Sequence, residues 1–345
     1  MSGQLNVVTG ATGLLGGHIA EQLLAQGQRV RAITRPASNT AELAKLGAEL
    51  APVGLHDPDA MRKAFDGAAC VYHCAACVSD WSAWRDHRRD TIDATRNVLD
   101  AARGAGVGRV VHASSVLVYG HPHGDRQLDE TAPLGQHLRF WDYYPAAKIE
   151  AEKLVAAFGP GATIIRPTWL IGPRDQRAIP RLVKALRARG RVFLIGNGQQ
   201  LLNMLHAGDV ARGAILAANS ERARGEAYNL CSAGEITQKQ MFDVLTDALG
   251  LPPVRRGVPY RFAYAAGLFS ELVGAAIRLR RPPHLTRHGV SVIGRPPRFR
   301  ADKAFEHFGW RPQISAEEGL RETIAWLLKQ ETPEAESRPP LRGGS

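Results

Sequence analysis

The sequence predicts an α/β fold in which a doubly wound parallel sheet is joined to a smaller, mixed C-terminal region. Over about the first 170 residues, short apolar runs alternate with helical patterns, as parallel strands with crossover helices require. A glycine-rich turn directly follows the first apolar run, where sheets of this kind bind phosphates. A pair of serines ends a later strand, at the edge where ligands bind in open α/β sheets.

Six strands and the helices between them are predicted in this alternating part. The strands are the β-branched, apolar runs that begin at residues 5, 29, 48, 70, 109 and 162. The helices are the amphipathic patterns at residues 16–27, 40–47, 61–67, 91–106 and from 143 onward.

Beyond residue 175 the alternation gives way to helices with short strands between them. We therefore expect a first domain at residues 1–174 and a second region at residues 175–329 that is interleaved with the first. The tail, residues 330–345, is rich in Pro and Glu and is expected to be disordered.

The composition is that of a soluble globular protein, with 44% hydrophobic and 22% charged residues. The net charge of +11 suits nucleic acid, anionic lipid or a phosphate-bearing ligand. Because the chain has no run of five consecutive basic residues and no zinc-finger or RNA-recognition signature, a nucleic-acid partner is not expected. The N-terminus enters a strand without a secretory signal pattern, so the expected location is the cytoplasm.

Three of the four cysteines, Cys70, Cys74 and Cys77, lie close to His73 in one stretch. Such a cluster raises the question of a metal, but no second ligand pair follows at zinc spacing. The stretch has the pattern of a buried strand that runs into a loop. We therefore expect buried thiols and no metal site.

The turn after the first strand has the sequence TGATGLLG, from Thr9 to Gly16. Glycines at this spacing allow a tight turn and bring backbone N–H groups and a helix N-terminus against a pyrophosphate. Because the motif follows a predicted strand and opens a predicted helix, it makes the first domain a dinucleotide-binding domain of Rossmann type. The candidate cofactor-binding residues in this turn are Thr9, Gly10, Thr12, Gly13, Leu14 and Gly16.

The helix that begins at residue 143 opens with YYPAAK, and Asp142 is its candidate N-cap. Tyr144 and Lys148 are four residues apart, so they lie on one face of this helix. A tyrosine packed on a lysine stem would explain the pair without any chemistry. Alternatively, a nearby ammonium favours the phenolate form of a phenol, whose pKa is ordinarily near 10, and makes the tyrosine an acid–base group.

The fifth strand ends in HASSVLVYG, which places Ser114 and Ser115 at its carboxyl end. The glycine turn, this S-S-x-x-x-Y-G segment and Y-x-x-x-K, in this order, resemble the extended short-chain dehydrogenase/reductase family over residues 4–328. The resemblance implies that Tyr144 is the general acid/base, that Ser115 holds the substrate oxygen and that Ser114 is structural. It also implies that Lys148 lowers the Tyr144 pKa and binds the nicotinamide ribose. Hydride would then move between nicotinamide and a carbinol carbon.

Two positions depart from the pattern of this family. Many members have G-D-L after the third strand, where this chain has V-G-L ending at Leu55. Thr91 stands where an asparagine is common. The cofactor contacts that the resemblance implies outside the glycine turn are Leu55, Ala75, Ala76, Tyr144, Lys148, Pro167 and Thr168.

The end of the second strand bears on the choice between the two nicotinamide cofactors. NAD enzymes usually place an acidic residue there, which binds the ribose 2′-OH and would repel a 2′-phosphate. This chain has Thr34 followed by Arg35, and an arginine attracts a phosphate. We therefore favour NADP(H), with NAD(H) as the alternative.

The substrate class is indicated by two segments. Nucleotide-sugar enzymes of the family commonly use the arginine of an R-D-[YF] segment to bind a diphosphate, and Leu202 stands at its position. Arg174 would be the substitute, which keeps a nucleotide-sugar epimerase or dehydratase as the alternative.

Residues 251–310 resemble the 3β-hydroxysteroid dehydrogenase branch, with its sterol-4-carboxylate dehydrogenases and 2-alkyl-3-keto acid reductases, which implies a hydrophobic alcohol or ketone. The candidate substrate contacts are Val78, Trp81, Tyr119, Trp141, Trp169, Arg174 and His206.

A strongly apolar helix is predicted within residues 262–281, and arginines flank it on both sides. Its length of about 27 Å is near that of a bilayer core, but Glu271 and Arg278 argue against a simple membrane span. One interpretation is a peripheral helix that draws a lipid-like substrate from a membrane, and the other is a buried lid over the substrate. A homodimer is left open.

Overall fold

The computed structural model describes residues 3–79, 81–122, 127–188, 192–232, 236–279 and 281–336. The strands, in chain order, are β1 (Leu5–Thr9), β2 (Arg29–Ile33), β3 (Glu49–Ala51), β4 (Cys70–His73), β5 (Val110–Ala113), β6 (Gln127–Leu128), β7 (Ala162–Pro167), β8 (Trp169–Ile171), β9 (Leu194–Ile195), β10 (Leu201–Leu202), β11 (Met204–His206), β12 (Ala227–Leu230), β13 (Ile236–Thr237), β14 (Gly257–Val258) and β15 (Arg298–Phe299). The helices are α1 (Leu14–Ala25), α2 (Ala41–Lys45), α3 (Pro58–Phe65), α4 (Trp84–His87), α5 (Ala94–Gly104), α6 (Tyr143–Phe158), α7 (Ala178–Arg187), α8 (Ala207–Ala218), α9 (Gln238–Ala248), α10 (Tyr260–Ala276), α11 (Arg287–Gly294), α12 (Asp302–Phe308) and α13 (Ala316–Glu336). A π turn, Arg88–Asp93, joins α4 to α5, and 3₁₀ turns lie at Val116–Tyr119 and Glu221–Ala223.

Seven parallel strands form the central sheet, in the order β12-β7-β5-β4-β1-β2-β3. The chain starts in the middle at β1, winds outward to β3, and then returns to β4 on the other side of β1. This reversal opens a crevice beyond the carboxyl ends of β1 and β4, where ligands bind in such sheets. The doubly wound α/β fold predicted from the sequence is confirmed.

Helices cover both faces of this sheet because its central strands are apolar on both sides. Val8 of β1 belongs to the core that includes α1 and α8, whereas Val7 belongs to the core beneath α3 and α5. Neighbouring residues of a strand point to opposite faces, so one apolar strand serves two cores. A third core, between α7, α9 and α13, organises the region after the sheet.

The sequence does not predict the seventh strand, β12, which lies at one edge of the sheet. Its central residue, Asn229, is polar but buried, and its Oδ1 accepts from the Tyr119 hydroxyl at 2.8 Å. The backbone N of Asn229 donates to Glu130 Oε1 at 2.7 Å. Both β12 and α8 follow residue 175 yet complete the sheet and its helical layer, so a cut at residue 174 would remove part of the first domain.

The C-terminal helices differ from the predicted segments in extent. Helix α13 continues through Glu336, so the disordered tail predicted from residue 330 starts too early, and residues 337–345 lie outside the described chain. Arg280, a predicted flank of the apolar helix α10, also lies outside it. Within the described ranges, no helix combines the length and the apolar character needed to cross a bilayer.

A buried ion pair attaches α6 to the sheet. Arg166 of β7 donates to both carboxylate oxygens of Glu152 on α6, with Nε–Oε1 at 2.9 Å and Nη2–Oε2 at 2.7 Å. The remaining Nη1 of Arg166 donates to the Tyr119 hydroxyl at 3.0 Å, and that hydroxyl donates to Asn229. Charges removed from water in this way are tolerated only where the pair is two-pointed and its other polar atoms are bonded. The network therefore fixes α6 relative to β7 and β12.

We expect Glu152→Gln to lower the free energy of unfolding by about 3–5 kcal/mol, because it leaves the buried Arg166 charge without its partner. Glu150→Gln is the matched control on the same helix: Glu150 is exposed, it pairs with Lys153 at 2.7 Å, and its loss should cost less than about 1 kcal/mol. Urea unfolding followed by circular dichroism measures both variants. Equal losses would contradict the role assigned to the buried pair.

Candidate active site

Glycines shape the turn between β1 and α1. Gly10 has a φ of 68°, and a Cβ there would lie 2.8 Å from the backbone N of Ala75. A Cβ at Gly16 would collide with the Gly10 carbonyl oxygen, whereas one at Gly13 would meet only that oxygen, at 3.2 Å. No side chain of the described residues caps α1 at Gly13. The first N–H groups of α1 are therefore free to bind phosphate, as the motif predicts.

The loop after β4 forms the second wall of this crevice, and Thr9 holds it. Thr9 Oγ1 accepts from the backbone N of Ala75 at 3.3 Å and lies 2.7 Å from His73 Nδ1. The other ring nitrogen of His73 lies 3.0 Å from Thr95 Oγ1. Thr9 is fully buried and its side chain ties β1 to β4, while its contact with the cofactor stays a prediction.

The two segments that depart from the family pattern, at Gly54 and at Thr91, also hold loops at this edge. Thr91 Oγ1 accepts from the backbone N of Cys77 at 3.1 Å, so a hydroxyl anchors the loop after β4. The Leu55 carbonyl accepts from Asn97 Nδ2 at 2.9 Å, and its side chain packs on the apolar core. The departures thus leave both loops anchored, and the contact of Leu55 with the cofactor stays a prediction.

Ser115 and Tyr144 meet at the carboxyl end of β5. Ser115 caps the 3₁₀ turn that follows it, with its Oγ accepting from the backbone N of Leu117 at 3.2 Å. Its side chain also interacts with that of Tyr144. Tyr144 is half-buried, and desolvation raises its pKa to about 12, against the opposing effects of Ser115 and of the Arg177 charge. At neutral pH Tyr144 therefore carries its proton.

Lys148 lies one helical turn after Tyr144 and is buried. Its Nζ donates to the Ala113 carbonyl at 2.7 Å, and burial lowers its pKa to about 8. An ammonium has three donors, so Lys148 retains donors for a ribose hydroxyl. The predicted lowering of the Tyr144 pKa by Lys148 stays a prediction, and the Arg177 charge is a second cation that opposes the rise of this pKa on burial.

Asp142 occupies the N-cap position of α6, as predicted, but its side chain does not cap the helix. Its Oδ2 lies 2.9 Å from His121 Nε2 and accepts from the backbone N of Arg139 at 2.8 Å. These bonds fix the loop that leads into α6. The carboxylate therefore positions the start of the helix from outside it.

Arg177 is a cation of the site that the sequence does not identify. It lies at the N-cap of α7, where Asp175 Oδ1 accepts from its backbone N at 2.8 Å. Its guanidinium donates to the Val78 carbonyl in the loop after β4. Burial raises the pKa of Tyr144 and of Cys77, and the Arg177 charge opposes both rises. No motif marks this residue, since its closeness to the site depends on a contact between positions 99 residues apart.

His87 is a second unpredicted neighbour of Tyr144. Its buried ring lies 6.3 Å from the Tyr144 ring, centroid to centroid, in an edge-on arrangement. The ring interacts with the Ser79 backbone, whereas Nδ1 has no hydrogen-bond partner among the described residues. Burial lowers the His87 pKa, so the ring is neutral at pH 7. The π turn Arg88–Asp93 begins directly after it, and such turns are frequent at functional sites.

Three predicted substrate contacts have their polar groups bonded within the protein, and their contact with substrate stays a prediction. Tyr119 is fully buried in the network with Asn229 and Arg166. Arg174 donates to a carboxylate on α1 and to one on α2, at 2.8 Å and 2.9 Å. His206 is buried and caps α8 by accepting a backbone N–H at 3.1 Å.

The aromatic candidates lie between the loops of the site and the C-terminal helices. Trp81 Nε1 donates to the Leu279 carbonyl at 2.9 Å, just beyond the end of α10. The guanidinium of Arg287, on α11, lies 4.3 Å from the Trp141 ring centroid. The segment that contains α10 and α11 therefore packs directly on loops that flank Tyr144. Contacts with substrate stay predictions for Val78, Trp81, Trp141 and the partly buried Trp169.

The residues at the crevice fit a nicotinamide dinucleotide. The open turn at Gly10 and the free N-terminus of α1 suit its phosphates, and Arg35 is exposed directly after β2. At the other end, Thr168 follows β7, and its buried Oγ1 has no hydrogen-bond partner among the residues described. An unpaired buried hydroxyl at this edge is what a bound ligand would satisfy. The individual contacts stay predictions for Thr12, Gly13, Leu14, Gly16, Ala75, Ala76, Lys148, Pro167 and Thr168.

Comparison with known proteins agrees with this geometry. Residues 6–231 match the NAD dependent epimerase/dehydratase family. The chain belongs to this family. It is 31% identical to the 2-alkyl-3-oxoalkanoate reductase of Stenotrophomonas maltophilia (strain K279a), over 91% of this chain and 97% of that protein. It is 30% identical to sterol demethylase protein B of Methylococcus capsulatus (strain ATCC 33009 / NCIMB 11132 / Bath), over 94% of this chain and 98% of that protein.

A solved structure of the same fold supports the assignment. The crystal structure of gox2253 superposes with a TM-score of 0.77 at 29% identity, covering 95% of this chain and 98% of that chain. The predicted resemblance to the extended short-chain dehydrogenase/reductase family, in the branch of the sterol and 2-alkyl-3-keto acid enzymes, is confirmed. A nicotinamide cofactor follows from membership of this NAD-dependent family.

We expect kcat/KM for the nicotinamide-dependent reaction of this family member to fall above about pH 8, where Lys148 loses its proton. Burial lowers the Lys148 pKa to about 8, so Lys148 is fully protonated only below that pH. Tyr144, with a pKa of about 12, keeps its proton over the same range. Kinetics from about pH 6 to about pH 10 measure the profile. Lys148→Arg should move the fall to higher pH, because a guanidinium does not titrate in this range. A flat wild-type profile would exclude Lys148 as the titrating group.

Proposed function

We propose that the protein is an NAD(P)-dependent oxidoreductase that acts on a secondary alcohol or ketone of a hydrophobic, sterol-like or long-chain substrate. The observation that carries this proposal is the meeting of Tyr144, Ser115 and Lys148 beside the glycine turn. Tyr144 is protonated and interacts with Ser115, and Lys148 is buried one turn away. These groups match the proton-transfer needs of carbonyl reduction.

Each residue has a distinct role in this reaction. A bound nicotinamide dinucleotide would supply or accept the hydride. Ser115 donates a hydrogen bond to the carbonyl oxygen, since its Oγ already accepts from a backbone N–H. Tyr144 gives its hydroxyl proton to that oxygen as the carbon is reduced, and takes it back in the reverse direction. Lys148, held on the Ala113 carbonyl, orients the ribose and places a positive charge beside the reacting groups.

NADP(H) is the cofactor that the end of β2 favours. Arg35 is exposed directly after this strand, where NAD enzymes usually have an acidic residue. A guanidinium at this place binds a 2′-phosphate and gains nothing from a free 2′-hydroxyl. NAD(H) stays the alternative cofactor.

A hydrophobic substrate is favoured over a nucleotide sugar. Leu202, at the position of the diphosphate-binding arginine, is buried in β10, and Arg174 is held by two carboxylates. The 2-alkyl-3-oxoalkanoate reductase and the sterol demethylase protein B are named for apolar substrates. We place the enzyme in the cytoplasm and propose that its substrate arrives from a lipid phase.

We expect Tyr144→Phe to lower kcat at least about a hundredfold while cofactor binding is kept, because only the proton donor is lost. Tyr143→Phe, one position earlier on the same helix, is the matched control and should change kcat little. The assay follows NADPH absorbance with long-chain 3-keto acids, sterol ketones and UDP-sugars. Net NADPH consumption with the apolar ketones supports the proposal. Conversion of a UDP-sugar without net cofactor change, or equal rates for the two variants, would contradict it.

We expect Arg35→Glu to raise KM for NADPH at least about tenfold and to leave KM for NADH unchanged or lower, since it removes a charge-assisted bond to the 2′-phosphate. Arg62→Glu is the control for the same charge reversal, on α3. Steady-state kinetics with both cofactors give the ratio. Identical shifts in the two variants would place recognition of the 2′ position elsewhere.

A further inference from the structure

Helix α10 packs on the protein through its smallest residues. The buried positions of this helix are Ala263, Gly267 and Gly274, which share one face. A Cβ at Gly267 would lie 3.0 Å from the backbone N of Arg287, and one at Gly274 would lie 3.4 Å from the Trp81 ring. The contacts with α11 and with the loop after β4 are therefore close and leave no room for large side chains. The lid interpretation, in which the apolar face of this helix is buried, is not what the structure shows.

The large side chains of α10 face outward as a consequence. Phe269 is 70% exposed, Leu272 is 60% exposed, and Ile277 just beyond the helix is 64% exposed. Every exposed position between Arg261 and Arg278 is Phe, Leu, Val, Ile or Ala. The helix is about 25 Å long, and soluble monomers rarely leave an apolar surface of this extent open to water. We call this surface the outer face of α10; its large residues are Phe262, Leu268, Phe269, Leu272, Val273 and Ile277.

The charge around the outer face has a single sign. Residues 251–300 contain ten arginines and one acidic residue, Glu271. That carboxylate is turned toward the protein, where it accepts from the backbone N of Arg287 at 2.7 Å and from its Nε at 2.6 Å. The exposed arginines nearest the apolar strip are Arg261 in the first turn of the helix, and Arg278 and Arg281 after its end. The outer face is thus an apolar strip with a purely cationic border.

We infer that the outer face of α10 docks on an anionic lipid surface, with the helix lying in the plane of the interface. Apolar side chains enter the acyl region, and the bordering arginines bind lipid phosphates. A second copy of the chain on the same face would bring arginines against arginines. A nucleic acid would leave the apolar strip uncovered. Of these occupants, only an anionic lipid surface complements both the strip and its border.

The inner side of the same segment reaches the active site. Trp81 is bonded to the Leu279 carbonyl, and Arg287 stacks on Trp141, two positions before α6. A docked molecule would hold the loops around Tyr144 close to the lipid, so an apolar substrate enters without crossing water. This route rests on the proposed function, whereas the docking itself does not depend on any reaction.

Vesicle flotation without substrate or cofactor tests the docking. We expect the protein to float with phosphatidylcholine–phosphatidylglycerol vesicles, to float poorly with phosphatidylcholine alone, and to dissociate as salt is raised. Phe269→Ser with Leu272→Ser should lower partitioning at least about tenfold. Replacing Arg261, Arg278 and Arg281 by Ser should do the same and flatten the salt dependence.

Matched controls separate this surface from general stickiness and net charge. Leu50→Ser with Leu201→Ser removes two exposed leucines elsewhere, and replacing Arg62, Arg96 and Arg103 by Ser removes three charges from α3 and α5. Both should float like wild type, as should Tyr144→Phe, whose activity is tested separately.

Three results would overturn the inference. The first is the absence of flotation by wild type with the anionic vesicles, and the second is equal loss in the control variants. The third is a lipid-free dimer in analytical ultracentrifugation that Phe269→Ser with Leu272→Ser dissociates while vesicle binding is unchanged. This third result would assign the face to a second copy. None of them bears on whether Tyr144 is catalytic, so the two proposals fail independently.

Discussion

The geometry of the active site depends on the buried pair of Arg166 and Glu152. A guanidinium and a carboxylate deep in a protein lose their hydration, and the cost is offset only while both bonds between them are kept. Because Glu152 lies on α6 and Arg166 on β7, the pair sets the height and rotation of the helix on the sheet. Lys148 is one turn before Glu152, so the same constraint brings its ammonium to the Ala113 carbonyl at the end of β5.

Once α6 is fixed on the sheet, burial determines the protonation states of Tyr144 and Lys148. Desolvation disfavours charge on either kind of group, so it raises the pKa of Tyr144 and lowers that of Lys148. Tyr144 therefore keeps its proton and can act as an acid, whereas the pKa of Lys148 moves toward neutral pH. Arg177, reaching across from α7 to the Val78 carbonyl, is the charge that opposes the rise for Tyr144. The Y-x-x-x-K motif does not indicate this effect of Arg177 on the Tyr144 pKa.

The parts predictable from sequence are those set by local rules. The turn at Gly10 requires a positive φ, and the Tyr144–Lys148 pair requires only a helical spacing. A short sequence motif is therefore enough to predict each of them. Arg177 and His87 escape notice because contacts far apart in sequence bring them to Tyr144. The bonds of Tyr119 within the core are also hidden in the sequence, because a polar residue near a motif can find its hydrogen-bond partners in the core as readily as at a ligand.

Helix α10 shows how the same physics gives opposite results on two helices. On α6 the buried face carries charges that are paired, and on α10 it carries glycine and alanine that allow close approach. The composition of residues 262–281 predicts an apolar helix but does not distinguish a peripheral membrane helix from a buried lid. The side that is buried is decided by Ala263, Gly267 and Gly274, which share one face. With the small residues inside, the phenylalanines and leucines must face outward. The outer face of α10 is an apolar strip bordered by arginines, and Arg287 neutralises its carboxylate, Glu271. Exposing this strip to water costs free energy, and docking on an anionic lipid surface removes that cost.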